Sequence, residues 1–233
     1  MTENAAANKA KKPHHVGHRD RLRQRFVKGG ADALADYELL ELLLFMAIPR
    51  RDVKPLAKSL LTHFGSFSAV LNAPLSELMA FGLSENASIG LISVKASALH
   101  LLQDDLTGKD VLNNWTQVMD YAKASLAHEK KEHFRIFFLN KKNEVMADEI
   151  QQSGTVDHTP IYPREVMKRA LEIGATAIIL CHNHPSGDPT PSKSDVEMTN
   201  QIIEAGRPFN IIVHDHIIVS KSGCTSMRNM DLI

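Results

Sequence analysis

The segment ATAIILCHNHPSGDPTPSKSD, residues 175–195, decides how the rest of the chain is interpreted. Its start, residues 175–180, is mostly apolar and rich in β-forming side chains, which predicts a buried strand. Side chains two residues apart lie on the same face of a strand, so His182 and His184 are expected to point the same way. The proline and glycine residues that follow predict a loop. A helix is then predicted to begin near Ser192.

Two imidazoles and one carboxylate are brought together by this pattern, because Asp195 falls in the first turn of the predicted helix. Such a ligand set suits Zn²⁺, and a catalytic zinc keeps its fourth position for water. An aspartate in a first helical turn also commonly interacts with the helix dipole. Ser192 and Asp195 fit a capping box, and Ser194 and Glu197 fit a second one. If the second box caps the helix, Asp195 is free to bind metal.

The spacing of four residues resembles the JAMM (JAB/MPN) metalloprotease motif, H-x-H-x7-S-x2-D. The matching residues are His182, His184, Ser192 and Asp195. The segments YPREV at 162–166, HNHPSGD at 182–188 and DH at 215–216 are similar to those of the RadC family of bacterial JAMM-domain proteins. The resemblance extends from about Gly17 to about Arg228 and is strongest from Glu132 to Val219.

The resemblance implies an α/β (α+β) JAMM/MPN domain with a curved mixed sheet flanked by helices, preceded by a small all-α domain. It implies one Zn²⁺ per chain, held by His182, His184 and Asp195. It also places Ser192 as a support for the oxyanion or the metal-bound water. The expected function is a zinc-dependent metallopeptidase that hydrolyses peptide or isopeptide bonds of a protein substrate. The alternative is a nucleic-acid-associated module, linked to DNA repair, whose metal site is structural or vestigial.

The general base is expected to be Glu132, at the place where the family has its glutamate. It precedes a predicted two-faced strand, residues 133–139, which should lie beside the strand that ends at His182. The alternative is that Glu132 is a surface carboxylate that pairs with a neighbouring lysine. Glu149, in the return strand of the same hairpin, is the second candidate base, or a solvated strand residue.

Three other features near the motif have ordinary structural interpretations. Cys181 should point away from the face that carries His182, which favours a buried thiol over a zinc ligand. Residues 214–216, His-Asp-His, are consistent with a second metal or relay set, but a hydrogen-bonded turn between strands at 211–213 and 217–219 is favoured. Asp188 is expected to form a turn in the proline-rich loop.

Composition predicts a folded, cytoplasmic protein. The 233 residues are 43% hydrophobic, carry no net charge and include two cysteines, which cannot form a disulfide framework. No apolar stretch reaches the length of a membrane span, so no membrane association is expected. Residues 1–30 contain eight of the 27 Lys and Arg and two of the 27 Asp and Glu, leaving 19 and 25 for the remainder.

Three parts are predicted along the chain. Residues 1–16 lack apolar periodicity and are expected to be a disordered tail. Residues 17–105 are predicted to form an all-helical domain. Residues 106–233 mix strands and helices, and the boundary lies at the polar turn Thr107–Asp110.

The helical domain offers two possible nucleic-acid contacts. Its first predicted helix carries a row of arginines, a pattern typical of phosphate binding to DNA but also of a solvated basic helix. These arginines are Arg19, Arg21, Arg23 and Arg25. The turn Gly82–Ser84 between two predicted helices has the outline of a helix-hairpin-helix, which the RadC family carries here. Because Ser84 replaces the second glycine and Glu85 adds a negative charge, a helical packing or dimerisation module is favoured over phosphate binding.

Overall fold

The computed structural model describes residues 17–153 and 161–233. Its contacts divide the chain into two compact units, with the division between Ala96 and Ser97. This division falls inside a long helix, Glu85–Leu106, whereas the sequence prediction placed the boundary in the turn after that helix. The predicted tail, residues 1–16, lies outside the described residues. Among the described residues, no helix is both long and apolar enough to cross a bilayer.

The first unit is helical, in agreement with the prediction. Its helices are α1 (His18–Gly29), α2 (Asp36–Ala47), α3 (Lys54–Phe64), α4 (Phe67–Leu71), α5 (Leu75–Phe81) and the first part of α6 (Glu85–Leu106). They enclose one apolar core, in which Leu40, Leu60 and Leu78 are completely buried. Burying such side chains stabilises a fold by about 1.5–3 kcal/mol each.

The turn between α5 and α6 is built for helix capping. Gly82 ends α5 in the left-handed conformation, with φ of 112°. The Ser84 hydroxyl then accepts the amide of Ala87 at 3.3 Å in the first turn of α6. The serine that replaces the second glycine of a helix-hairpin-helix therefore serves as a cap.

The second unit is a mixed sheet flanked by helices, which confirms the predicted α/β class. Its elements are the rest of α6, α7 (Trp115–Leu126), β1 (His133–Leu139), β2 (Val145–Ser153), α8 (Pro163–Ile173), β3 (Ala177–Asn183), α9 (Lys193–Gly206), β4 (Ile212–Val219) and β5 (Cys224–Ser226). The strand order is β2-β1-β3-β4-β5. Strands β3 and β4 are parallel, and the other neighbouring pairs are antiparallel.

Both faces of the sheet are buried, and strand β1 shows why. Phe134, Ile136 and Phe138 pack on one face, in the same core cluster as side chains of α8 and α9. Phe137 and Leu139 pack on the other, with side chains of α7. This is the predicted two-faced pattern. Strand β1 pairs with β3, and its start lies beside the end of β3. Glu132, the residue just before β1, therefore lies near the two histidines.

The structure contradicts one secondary-structure prediction. Residues 214–216 do not form a turn between two strands, because β4 continues through them from Ile212 to Val219. The register against β3 shifts here, since Ile178 faces Val213 and Ile179 faces Asp215. The intervening residue is the extra one of a β-bulge.

The polar side chains of this stretch remain in the sheet because each has a partner. His214 contacts the Asn143 side chain at 2.8 Å. Asp215 is buried and accepts hydrogen bonds from the Ser226 hydroxyl and from the amide of Arg228. His216 is buried against His182, as described below. Buried polar groups with such partners do not carry the cost that an unpaired group would.

Candidate metal centre

Two imidazoles converge at the end of strand β3. His182 belongs to the strand, is only 2% exposed and lies two residues before His184. Their Nε2 atoms are 2.9 Å apart, so the alternation of the strand does aim both rings at one point. The ring of Phe134 in β1 stacks on His182 at a centroid distance of 6.2 Å and fixes its plane.

The carboxylate of Asp195 reaches the same point from the first turn of α9. Its Oδ1 lies 3.4 Å from the Nε2 of His182, and its Oδ2 lies 3.4 Å from the Nε2 of His184. Zinc bonds of about 2.0–2.1 Å in a tetrahedron place neighbouring ligand atoms about 3.3–3.4 Å apart. The two carboxylate–imidazole separations match this value, whereas the two imidazole nitrogens, at 2.9 Å, lie closer together; the donor types fit a metal ion such as zinc.

Helix α9 is capped by the first of the two possible boxes. The Ser192 hydroxyl accepts a hydrogen bond from the Asp195 amide at 3.2 Å. The Asp195 carboxylate accepts a hydrogen bond from the Ser192 amide at 2.7 Å. The second possible box, of Ser194 and Glu197, is not the one that caps the helix. The Asp195 carboxylate can take part in this cap and also face the imidazoles, because the hydrogen bonds from Ser192 orient it towards them.

Ser192 is accordingly held close to the candidate metal ligands, but its hydroxyl is engaged. It donates to Asp195 Oδ2 at 2.6 Å, and the residue itself is exposed at the N-terminus of α9. In this geometry Ser192 orients a candidate ligand. A contact with an oxyanion or a bound water, as the resemblance implies, remains a prediction.

Glu132 is the second carboxylate at this point. Its Oε1 lies 3.8 Å from the Nε2 of His182, and one of its oxygens lies within 4.8 Å of a ring nitrogen of each histidine. The side chain is one-third exposed, so it stands between the buried imidazoles and solvent. It lies farther from the Nε2 of His182 than the Asp195 carboxylate does.

Asn183, which the sequence analysis did not select, holds Glu132 in place. It lies between the two histidines and points to the opposite side, where it is 1% exposed. Its Oδ1 accepts the amide of His133 at 2.8 Å, and its Nδ2 donates to the carbonyls of Lys131 at 3.0 Å and Glu129 at 3.3 Å. These bonds clamp the backbone on both sides of Glu132. The sequence signal that could have identified Asn183 is an asparagine in a predicted buried strand, next to a candidate ligand. A buried amide needs several hydrogen-bond partners, so it is expected to hold neighbouring backbone in place.

A chain of hydrogen bonds supports His182 from behind. Its Nδ1 lies 2.7 Å from Nε2 of His216, whose Nδ1 lies 2.6 Å from the hydroxyl of Thr199. That hydroxyl donates to the backbone carbonyl of Asp195 at 2.6 Å. Because Thr199 has one hydrogen, it must accept the Nδ1–H of His216. Nε2 of His216 then accepts the Nδ1–H of His182, which leaves the lone pair of His182 Nε2 facing the metal position.

His184 is oriented by the proline-rich loop. Its Nδ1 lies 2.9 Å from the backbone carbonyl of Asp188 and donates to it, which leaves Nε2 as the free nitrogen. The Asp188 side chain accepts the amide and the hydroxyl of Thr190, so it forms the expected turn. Metal-binding histidines characteristically donate their other ring N–H in this way.

The pKa shifts of His182 and Asp195 favour metal binding, whereas the shift of His184 favours a proton that a metal would have to displace. Burial lowers the pKa of His182 to about 4, and burial also lowers the pKa of His216. Contact with Asp195 raises the pKa of His184. Burial opposes ionisation of Asp195, but its contacts with His184, His182 and Ser192 hold its pKa below the ordinary value. A neutral imidazole beside an ionised carboxylate is the state that a metal requires.

The alternative candidates near the site have other partners. The Glu149 carboxylate forms two hydrogen bonds with Arg169 of α8, at 2.5 and 2.8 Å, and this pairing lowers its pKa. Cys181 lies in the core cluster on the opposite face of β3, where burial raises the pKa of the thiol, as the sequence analysis expected.

The four arginines predicted to bind nucleic acid differ in their contacts. Arg25 makes a two-pronged ion pair with Glu38 of α2, at 2.7 and 2.9 Å, and this pairing lowers the pKa of Glu38. Arg19 lies over the ring of Phe45, and Arg23 contacts Asp20 at 3.5 Å. Arg21 is exposed on α1.

Family comparisons agree with this geometry. Residues 112–232 match the family described as the RadC-like JAB domain, which covers more than half of the chain. The chain belongs to the RadC family. Residues 14–88 match the family described as UPF0758 N-terminal. The JAB-domain match contains the complete candidate site of this RadC protein, namely Glu132, His182, His184, Ser192 and Asp195.

Proposed function

We propose that this RadC protein is a zinc-dependent metallopeptidase-type hydrolase acting on peptide or isopeptide bonds. The observation that carries the proposal is the position of Glu132. A carboxylate held 3.8 Å from one of two convergent imidazoles, opposite a second carboxylate, is the arrangement that a metal-assisted hydrolase needs.

The metal would be held by the Nε2 atoms of His182 and His184 and by the carboxylate of Asp195. Three protein ligands are typical of a catalytic zinc, since a structural zinc is usually enclosed by four. When bound, zinc lowers the pKa of a coordinated water to about 7 and polarises a carbonyl oxygen. The proposed stoichiometry is one zinc per chain.

Glu132 would be the general base. Its carboxylate accepts a proton from the attacking water and then passes that proton to the nitrogen of the departing amine. Partial exposure suits this role, because the carboxylate must reach both the water and a substrate that arrives from solvent. The pairing of Glu149 with Arg169 supports the choice of Glu132 over Glu149.

The test is the Glu132→Gln variant of the full chain. Glutamine preserves size but cannot accept the proton, so zinc content and folding should remain near wild type. Hydrolysis of quenched-fluorescent peptide and isopeptide-linked substrates should fall about 100-fold or more. Elemental analysis measures the zinc, and Glu149→Gln is the matched control that should retain most activity.

Two outcomes would contradict this assignment. If Glu132→Gln loses its zinc, the residue is a ligand. If it hydrolyses substrates as fast as the wild type, another group is the base. Asp195→Ala should lose most of its zinc, and retention of the metal would reject the ligand set. Zinc-loaded wild-type protein that hydrolyses no substrate would favour a structural metal.

A further inference from the structure

A second polar site lies in the first unit, in a cavity of about 370 Å³ between the start of α1 and the loop that joins α2 to α3. The charged side chains that line it are Arg19, Arg23, Arg50, Arg51, Asp20 and Asp52. Four guanidinium groups against two carboxylates give this lining an excess of positive charge.

Arg19 of α1 holds the loop between α2 and α3 in place at the wall of the cavity. Its guanidinium lies 4.3 Å from the ring centroid of the buried Phe45, a cation–π contact. The same group donates to the backbone carbonyls of Ile48 at 2.5 Å and Arg51 at 2.6 Å. The loop that presents Arg50 and Arg51 is therefore attached to the helix below it.

The two carboxylates do not neutralise the loop arginines. Asp52 accepts a hydrogen bond from the Lys54 amide at 3.0 Å, at the start of α3. Asp20 contacts Arg23 at 3.5 Å, and both of these side chains are well exposed. Within residues 17–153 and 161–233, no carboxylate pairs with the guanidinium of Arg50 or Arg51.

We propose that this cavity binds a nucleotide, with Arg50 and Arg51 as the main phosphate contacts and Arg23 beside them. A guanidinium offers a planar pair of donors that matches phosphate oxygens. A volume of about 370 Å³ lies in the range of about 300–1,000 Å³ that is typical of small-ligand sites, so a sugar and base can accompany the phosphate. The nucleotide is either one unit of a nucleic-acid strand or a free molecule.

This site overlaps only in part with the arginine row predicted from the sequence, because Arg19 and Arg23 line it but Arg21 and Arg25 do not. Arg25 is committed to Glu38, whereas Arg50 and Arg51, outside that row, face the cavity. The proposal is independent of the hydrolase proposed above, because its residues all lie in the other unit.

The experiment uses the full chain and four probes. These are a short fluorescent single-stranded oligonucleotide, a nucleoside monophosphate, the nucleoside without phosphate, and inorganic phosphate. Binding is followed by fluorescence anisotropy, direct for the oligonucleotide and by competition for the others. We expect the phosphate-bearing nucleotide probes to bind and the nucleoside to fail.

The decisive variant is Arg50→Ala with Arg51→Ala. Both side chains are exposed, and Arg19 holds only the backbone of Arg51, so folding should be preserved. Affinity should fall at least about 10-fold for each arginine removed, the scale of charged hydrogen bonds. For the oligonucleotide, the salt slope should also fall by about 1.4, which is about 0.7 for each phosphate that is no longer neutralised.

The matched control is Lys28→Ala with Lys58→Ala, which removes the same charge from α1 and α3 outside the cavity. Its affinity should stay near wild type. Binding of the oligonucleotide without the monophosphate would assign the strand as ligand, and equal binding of both would assign the free nucleotide. The proposal is overturned if neither nucleotide probe binds, or if the control loses as much affinity as the arginine variant.

Discussion

At the residue scale, His216 decides which lone pair His182 offers to a metal. The hydrogen of Thr199 is used on the Asp195 carbonyl, so each ring N–H in the chain must point away from the metal position. This arrangement also connects two candidate ligands, because it runs from the His182 ring through His216 and Thr199 to the backbone carbonyl of Asp195. Such supporting contacts determine ring orientation and ligand basicity.

His216→Ala should therefore weaken zinc affinity about 10–100-fold, the usual effect of losing a supporting partner of a metal ligand. His214→Ala is the control, because this residue lies on the same strand but contacts Asn143. Chelator competition on the folded protein measures the affinity, and the visible spectrum of the Co²⁺ form reports the ligand geometry. Equal zinc affinity in the His216 variant and the wild type would remove this role.

At the element scale, the strands and helices were predictable wherever one periodicity was dominant. The two-faced run of β1 and the apolar run of β3 give core positions directly, and glycines mark the ends of α3 and α5. The continuation of β4 was missed because its three polar residues resemble a turn, and their partners are distant in sequence. Asn143 is 71 residues from His214, and local pattern carries no information on such a contact.

The candidate site, too, was predictable in part from local sequence pattern and in part only from contacts between distant residues. The spacing of His182, His184 and Asp195 was sufficient to place three donors together. The choice between two capping boxes, and between Glu132 and Glu149, depended on side-chain partners that only the fold brings close. Arg169 on α8 occupies one glutamate, and Asn183 on β3 positions the other.

The clamp between β3 and the segment before β1 can be tested by Asn183→Asp. The retained oxygen keeps the hydrogen bond from the His133 amide, but the new oxygen replaces the amide nitrogen and faces the carbonyls of Lys131 and Glu129, which repel it. Glu132 should move, and a displacement of about 1 Å can cost about 100-fold in rate. Zinc content should remain near wild type. In a Glu132→Gln background the substitution should reduce hydrolysis no further, whereas multiplying losses would show that Asn183 acts elsewhere.

At the scale of the whole molecule, the two units have separate cores. The buried cluster of the first extends from Leu22 to Leu91, and the clusters of the second use residues from Leu106 onwards. All three candidate metal ligands belong to the second unit. A ligand that binds only the folded state stabilises it by about 4 kcal/mol at 1,000 times its dissociation constant. Zinc should thus stabilise the second unit selectively.

Hydrogen exchange of the full chain, with and without zinc, tests this expectation. Amides of β3, β4 and the first turn of α9 should become more protected, while those of α2 and α3 should not change. Glu38→Gln is the reciprocal variant, because it breaks the ion pair with Arg25 and should deprotect only the first unit. Its effect should be present at neutral pH and disappear in acid, since the lowered pKa of Glu38 stabilises the fold only while the carboxyl is ionised. Zinc protection that spreads equally through α2 and α3 would show that the units are coupled.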